Sequence, residues 1–493
     1  DRPITNEGAG GEVYATIVVI NESSHDANTL YVGTDDGLIQ ITRDAGKTWS
    51  NITPASWGDG LVNEIEVSPF DPATVYVAFR KDRLGDPTPH AYRSTDYGKT
   101  WTRLVNGLRD NEPVRVVRED PERRGLLYAG TETGVYVSYD AGAKWMPYTG
   151  FPVTPVTDLE VRHGDLIAAT EGRAFWILDD LSVLRQRTDN IASAPVHLYQ
   201  PRHAVLAGGS AGPAGNAGRN PPYGATVYYR LQGAPDSTTT VKVEFLDSKG
   251  ATLRSFVTRG DSTDRITAKA GLNSVNWNLR RAAPTRIAGI VLFGAPVDGG
   301  SRVPPGRYEV RLTHGATVMT KAFEVRQDPR IDVLQTVVAE RDSLATLLSN
   351  RITEIHDAVL RVRDLKTQVS GFTARAKDAV NADTIAKAGK TLSDKLNKID
   401  PRLTTKASNG QDIINYANGI NGQYGFLLGQ VEGNPAVTQP ARDRLIELER
   451  IWQALRREVE FIETQDVMAF NALLRAGNVQ GVITPAAKKG PIS

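Results

Sequence analysis

The chain has 493 residues, 40% hydrophobic and 23% charged, with 58 basic side chains against 57 acidic ones and a formal charge of +1. That is ordinary globular composition with room for about three domains, and the even balance offers no overall field for nucleic acid or an anionic membrane. The lack of cysteine excludes disulfides, thiolate metal centres and a cysteine nucleophile, and the seven histidines include no His-x-x-x-His pair, so no metal or cofactor is expected.

The first 190 residues alternate apolar and polar side chains in short runs. Residues 13–20 are β-branched and read as a buried inner strand, with further strands over 29–34, 38–42 and 48–53. The same order recurs over 64–67, 74–79, 91–94 and 101–104, again over 114–118, 126–131, 135–139 and 145–148, and in part over 158–162, 166–170 and 174–178. Four antiparallel strands make one propeller blade, so about four blades are expected. Between the third and fourth strands one phrase returns: Thr42-Arg43-Asp44-Ala45-Gly46-Lys47-Thr48-Trp49, Ser94-Thr95-Asp96-Tyr97-Gly98-Lys99-Thr100-Trp101 and Ser138-Tyr139-Asp140-Ala141-Gly142-Ala143-Lys144-Trp145. In each, the hydroxyl and the carboxylate can accept from turn N–H groups, Gly46, Gly98 and Gly142 take positive φ, and Trp49, Trp101 and Trp145 pack over the hairpin. Asp44, Asp96 and Asp140 are therefore structural. The turns between second and third strands fall on the opposite face and carry Asp35, Asp36, Glu132 and Glu171, joined by Asp82 and Asp86 in an inserted loop over 80–90. These side chains are turn formers, and together they also make a candidate acidic face for a cation, a basic peptide or a sugar.

The repeated phrase resembles the Asp-box of the bacterial neuraminidase repeat, with Lys144 standing where the family has Thr. The resemblance implies a β-propeller, and with the flanking text it is similar to bacterial exported proteins of the sortilin-like class, which implies a periplasmic or extracellular location. Such repeats also occur in sialidases and secreted glycanases, but the Phe/Tyr-Arg-Ile-Pro segment of sialidases is missing. The chain starts at Asp1, and four blades are few for an Asp-box ring. An upstream half, a second chain or another copy is expected to complete it, through blade edges or helices.

Residues 207–222 are rich in Gly and Pro and read as a connector. Strands then follow over 226–231, 241–246, 253–258, 274–279, 308–313 and 320–325, a spacing that fits an immunoglobulin- or fibronectin-like β-sandwich with Trp277 in its core. At Asp328 the period changes to helical: Leu334, Val338, Arg341, Ala345, Leu348, Ile352, Ile355, Val359, Val362, Lys366 and Val369 form one seam, and Leu445, Leu448, Trp452, Leu455, Val459 and Ile462 another. Weaker helices lie over 386–399 and 413–431, and a coiled-coil hairpin or bundle is the natural closure. The expected organisation is blades over 1–190, connector and sandwich over 191–327, helices over 328–477 and a tail over 478–493. No apolar run approaches the roughly 20 residues that span a bilayer. The expected function is that of an exported, non-catalytic binding or assembly protein taking a glycan or peptide. The alternatives are a glycan-active hydrolase, with its site on the acidic face or in a missing half, and a structural subunit of a surface assembly.

Overall fold

The computed structural model describes residues 15–207, 218, 220–236, 238–259, 264–290, 299–405, 418–481 and 483–484. Residues 1–14, most of the 207–222 connector, the start of the 413–431 helix and most of the tail lie outside them. The chain divides into two compact units, Asp1–Ala192 and Ser193–Ser493.

In the first unit each strand pairs antiparallel with the next in sequence. The first sheet holds β1 (Ile17–Glu22), β2 (Leu30–Thr34), β3 (Ile39–Thr42) and β4 (Ser50–Asn51). The second holds β5 (Leu61–Val67), β6 (Val75–Arg80), β7 (Ala91–Ser94) and β8 (Thr102–Arg103), and the third β9 (Val114–Glu119), β10 (Leu127–Thr131), β11 (Val135–Ser138) and β12 (Met146–Tyr148). The fourth has three strands, β13 (Val156–Arg162), β14 (Asp165–Thr170) and β15 (Phe175–Leu178), followed by α1 (Ser182–Gln186) and α2 (Asp189–Ser193). The sheets are buried on both faces where they meet. Ile39, Ile65, Val77 and Phe79 fill the first seam, Tyr76, Val114, Leu127 and Trp145 the second, and Val116, Tyr128, Val156 and Leu166 the third. β1 departs from the sequence reading: the run expected to be buried leaves Ile17 and Ile20 55% and 63% exposed, because the described residues place no sheet on its outer side. At the other end Phe175, Trp176 and Ile177 of the edge strand β15 are exposed.

The repeated turn is built as its composition requires. Thr42 Oγ1 donates to Asp44 Oδ1 at 2.8 Å, Gly46 N donates to Thr42 Oγ1 at 2.9 Å, and Thr48 donates to Asp44 through its N–H at 2.8 Å and its hydroxyl at 2.7 Å. The second copy repeats all four bonds with Ser94, Asp96, Gly98 and Thr100. The third keeps three, since Lys144 supplies an N–H and no hydroxyl. Two successive residues are left-handed in each turn, Ala45, Tyr97 and Ala141 before their glycines, so the non-glycine residue shares the strain that composition assigns to Gly alone. The tryptophans also depart from expectation. Trp101 and Trp145 pack against the preceding sheet rather than their own hairpin, in the first and second seams, whereas Trp49 stays beside its own turn and is 43% exposed.

In the second unit, β16 (Val196–Leu198), β18 (Ala225–Leu231) and β21 (Gly271–Trp277) form one sheet in the order β16-β18-β21 once β17 (Ala204–Leu206), β19 (Val241–Leu246) and β20 (Thr252–Val257) are set apart. Those three join β22 (Gly306–His314) and β23 (Thr317–Gln327) in the order β17-β23-β22-β19-β20, with β17 parallel to β23. The two sheets share one core, in which the Trp277 ring stacks on Phe245 at 4.7 Å and its indole donates to the Arg280 carbonyl at 2.7 Å. The helices are α3 (Gln335–Arg375), α4 (Ala382–Leu403), α5 (Ile420–Gly433), α6 (Gln439–Phe461) and α7 (Val467–Ala476), with a π-helical turn over Ile462–Asp466 joining the last two. The apolar seam residues from Ala345 to Val369 and from Leu445 to Ile462 line or border their shared core, whereas Leu334 precedes α3 and is exposed, Lys366 is exposed, and Val338 and Arg341 lie outside that cluster. Sheets and helices meet through charge: Glu432 accepts from Arg280 Nη2 at 2.9 Å and from the Arg302 N–H at 2.7 Å, and Arg281 pairs with Asp342 at 3.0 Å.

The turn bonds make a pH-dependent prediction. The Thr100 hydroxyl and N–H, with Ser94, hold the Asp96 carboxyl at about 2. A depressed acid stabilises the fold above its unfolded pKa and loses that contribution as pH falls through the folded value. Asp96→Ala is expected to lower the melting temperature of the first unit by about 2 to 4 °C at pH 7, with the difference vanishing toward pH 2. Lys144→Thr, which restores the missing hydroxyl, should raise it. Calorimetry of the three proteins across pH checks both.

Candidate functional site

The innermost strands of the four sheets share one irregularity. β1, β5, β9 and β13 each carry a bulge near the start, between Ile17 and Val19, Val62 and Glu64, Val114 and Val116, and Val156 and Asp158. A bulge adds a residue without a cross-strand partner and re-aims the side chains around it. The added residues are Val18, Asn63, Arg115 and Thr157, so the third sheet alone puts a long cation there. Arg115 donates to both oxygens of Glu132, Nε at 2.7 Å and Nη2 at 3.1 Å, lies 3.2 Å from Glu171, and has its carbonyl held by the Asn63 amide. Three residues along β9, Arg118 Nη1 reaches Glu64 at 2.8 Å and Glu66 at 3.1 Å, Nη2 reaches Asp158 at 3.0 Å, and Nε donates to the Leu159 carbonyl. The two arginines of β9 thus tie the second and fourth sheets to the third.

One guanidinium facing three carboxylates leaves an excess of acid in a partly dry space. Burial pushes the Glu66 carboxyl up to about 7, with Arg118 opposing the shift and Glu64 reinforcing it. Burial also raises Glu64, and against its own burial Arg118 is raised by Glu64 and Glu66 and stays charged. The Glu66 side chain is 18% exposed, whereas Asp158 is 56% exposed on the same guanidinium.

Of the acidic side chains singled out in the sequence, the structure links three. Arg80 grips Asp82 at 2.9 and 2.7 Å and lies 3.6 Å from Glu132, which shares Arg115 with Glu171. Asp82, Glu132 and Glu171, from three successive sheets, therefore form one chain of carboxylates bridged by two arginines. Asp35 and Asp36 stand apart as turn caps, accepting from the Thr16 N–H and the Thr34 hydroxyl. Asp86 closes the inserted loop: the Thr88 hydroxyl and N–H, then His90, hold its carboxyl at about 2, and burial lowers His90 against the pull of Asp86. Among the described residues no cluster of His, Asp and Glu is arranged to hold a metal.

Sequence reasoning missed Arg80, Arg115, Arg118, Glu64, Glu66 and Asp158. A signal was present, since Asn63-Glu64-Ile65-Glu66 and Arg115-Val116-Val117-Arg118 put charges into runs read as inner strands. All three arginines are engaged by protein carboxylates.

No family model matches the chain. It is similar to a xyloglucanase of Paenibacillus sp, 33% identical over 159 residues that cover 29% of this chain and 15% of that protein. It is also similar to xyloglucanase Xgh74A of Acetivibrio thermocellus, 30% identical over 159 residues that cover 29% of this chain and 18% of that one. The chain thus spans less than a fifth of the length of the curated relatives it matches. Among solved structures it is similar to the Niastella koreensis GH74 enzyme, with 13% identity and a TM-score of 0.27 over 63% of this chain and 46% of that one. It is also similar to YCF48 from Cyanidioschyzon merolae, with 18% identity and a TM-score of 0.28 over 33% of this chain and 53% of that one. The curated relatives are glycoside hydrolases, and this corrects the expectation of a non-catalytic binding or assembly protein. The repeated turn that suggested it is a fold device shared by enzymes and binding modules.

Glu66 carries the pH prediction of this site. A raised carboxyl keeps its proton in the folded state while the unfolded chain has lost it, so stability falls as pH rises from about 4.5 to about 7. Glu66→Gln should flatten that fall by on the order of 2 kcal/mol, with Glu64 leaving a smaller residue of the same sign. Denaturant unfolding at pH 4.5, 6 and 8 measures it; parallel profiles for the two proteins would show that Glu66 does not hold the proton.

Proposed function

We propose that the chain is part of a glycan-active hydrolase whose substrate is a neutral polysaccharide of the xyloglucan class. The observation that carries this is the 33% identity to a xyloglucanase over 159 residues. The chemistry of the inner strands supports it. Glycoside hydrolysis needs one carboxyl that holds a proton at working pH and a second carboxylate across the bond. Glu66, raised to about 7, suits the acid, and the more exposed Asp158 on the same Arg118 suits the base that activates water. Asp82, Glu132 and Glu171 form the rim on which sugar hydroxyls bond. A neutral chain is the better fit to a site whose arginines already hold carboxylates.

In this reading the repeated turns are Asp-boxes, the four sheets are blades of an exported propeller of the sortilin-like kind, and the second unit is an accessory body of an immunoglobulin-like sandwich and helices. No helix among the described residues is long and apolar enough to cross a membrane.

The test is release of reducing ends from xyloglucan by the purified chain. Hydrolysis is expected, falling about 100-fold or more in Glu66→Gln and in Asp158→Asn with the far-ultraviolet circular dichroism unchanged. Full activity in both variants would move the chemistry elsewhere. Neither hydrolysis nor retention on immobilised xyloglucan would overturn the reading.

A further inference from the structure

The tryptophans of the repeated turn reveal how each sheet is seated on the one before it. Trp101 Nε1 donates to the Ile52 carbonyl at 3.1 Å, and Trp145 Nε1 donates to the Leu104 carbonyl at 3.0 Å. Both acceptors directly follow the outermost strand of the preceding sheet, β4 or β8. The repeat glycine faces the same residue in both seams: a Cβ on Gly98 would collide with Ile52, and one on Gly142 with Leu104. Indole donor, bare glycine and aliphatic neighbour thus form a seam unit that occurs twice.

The first copy has the donor and the bare glycine without the neighbour. Trp49 is 43% exposed where Trp145 is 1% exposed, and its indole makes no such bond among the described residues. Only the Trp49 ring itself comes within 4 Å of a Cβ on Gly46. In β1, Val19 packs into the seam with the second sheet, so the next residue, Ile20, points to the opposite face, where it is 63% exposed.

We infer that this face of the first sheet is a docking surface for a further four-stranded antiparallel sheet of the same repeat, supplied from outside this chain. The residue after its outermost strand gives a carbonyl to Trp49 Nε1 and an aliphatic side chain to the space over Gly46. A second copy fits less well, because the fourth sheet ends at β15 and has no outermost strand from which to offer that carbonyl. The inference comes from the seam geometry and is independent of the hydrolase reading.

Joining an extra copy of residues 61–113 ahead of Ile17 in the full chain builds the occupant, since β1 then follows it as β9 follows β8. The readout is iodide quenching and emission of Trp49, isolated by subtracting the Trp49→Phe form of each protein. Quenching is expected to drop several-fold and emission to shift to the blue in the extended protein, while the parent chain stays monomeric in sedimentation with Trp49 open. A folded added sheet, shown by its extra β signal and protease resistance, with Trp49 still fully quenchable would overturn the inference. So would concentration-dependent dimerisation of the parent that closes Trp49. Should the added sheet not fold, benzoylphenylalanine at position 49 in the protein as made by its source decides: a cross-link to a peptide bearing the repeat supports the docking surface, and a cross-link to residues 151–180 of another copy, or none, overturns it.

Discussion

The inner edge of the first unit depends on a single positive charge. Arg118 lies between three carboxylates from the strands on either side and also holds a backbone carbonyl of the fourth sheet. Breaking a buried pair by removing one partner costs about 3 to 5 kcal/mol, because the group left behind has neither water nor counter-charge. Here two such groups would be left, Glu64 and Glu66, since Asp158 is open to water. Burial, with Glu64 beside it, raises the Glu66 carboxyl to about 7 against the pull of the one guanidinium that three carboxylates share.

What could be read from the sequence follows the range of the interactions. The repeated turn was legible because all its bonds lie within four residues, from Ser94 to Gly98 and from Asp96 to Thr100. Strand order was legible for the same reason, as neighbours in the first unit are also neighbours in sequence. The Arg118 network was not, since Glu64, Glu66 and Asp158 stand 54, 52 and 40 positions away and meet Arg118 only once three sheets have stacked. The role of the tryptophans was misread for a related cause: composition shows a ring beside a turn and cannot show that the neighbouring sheet is closer. Of the six acidic side chains placed on one face, Asp82, Glu132 and Glu171 are joined because Arg80 and Arg115 bridge sheets. Asp36 and Asp86 answer to their own turns, and Asp35 accepts from the Thr16 N–H. The short strands β16 and β17 had no periodic signal, three residues being too few to show one.

Function was legible only as a set of alternatives. A repeat that fixes turns carries no information about what the opposite face does, and the proteins that share sequence with this chain are hydrolases. The raised Glu66 carboxyl and the occupied arginines arise from the stacking of sheets rather than from the repeat.

Glu432 has a consequence for how the second unit can change over time. Its side chain is 8% exposed on a helix, yet it is held by a guanidinium and a backbone N–H that belong to the sheet portion. His356 of α3 adds a second tie, donating from Nδ1 to the Thr285 carbonyl while Nε2 accepts from Asn421. Helices joined to a body in this way cannot be exchanged as a cassette by recombination at the change of period near Asp328. A transplanted helical segment would bring a buried carboxylate without its cation, and Arg280 and Arg281 of the sheets would lose their carboxylate partners. The two portions are therefore expected to be inherited together.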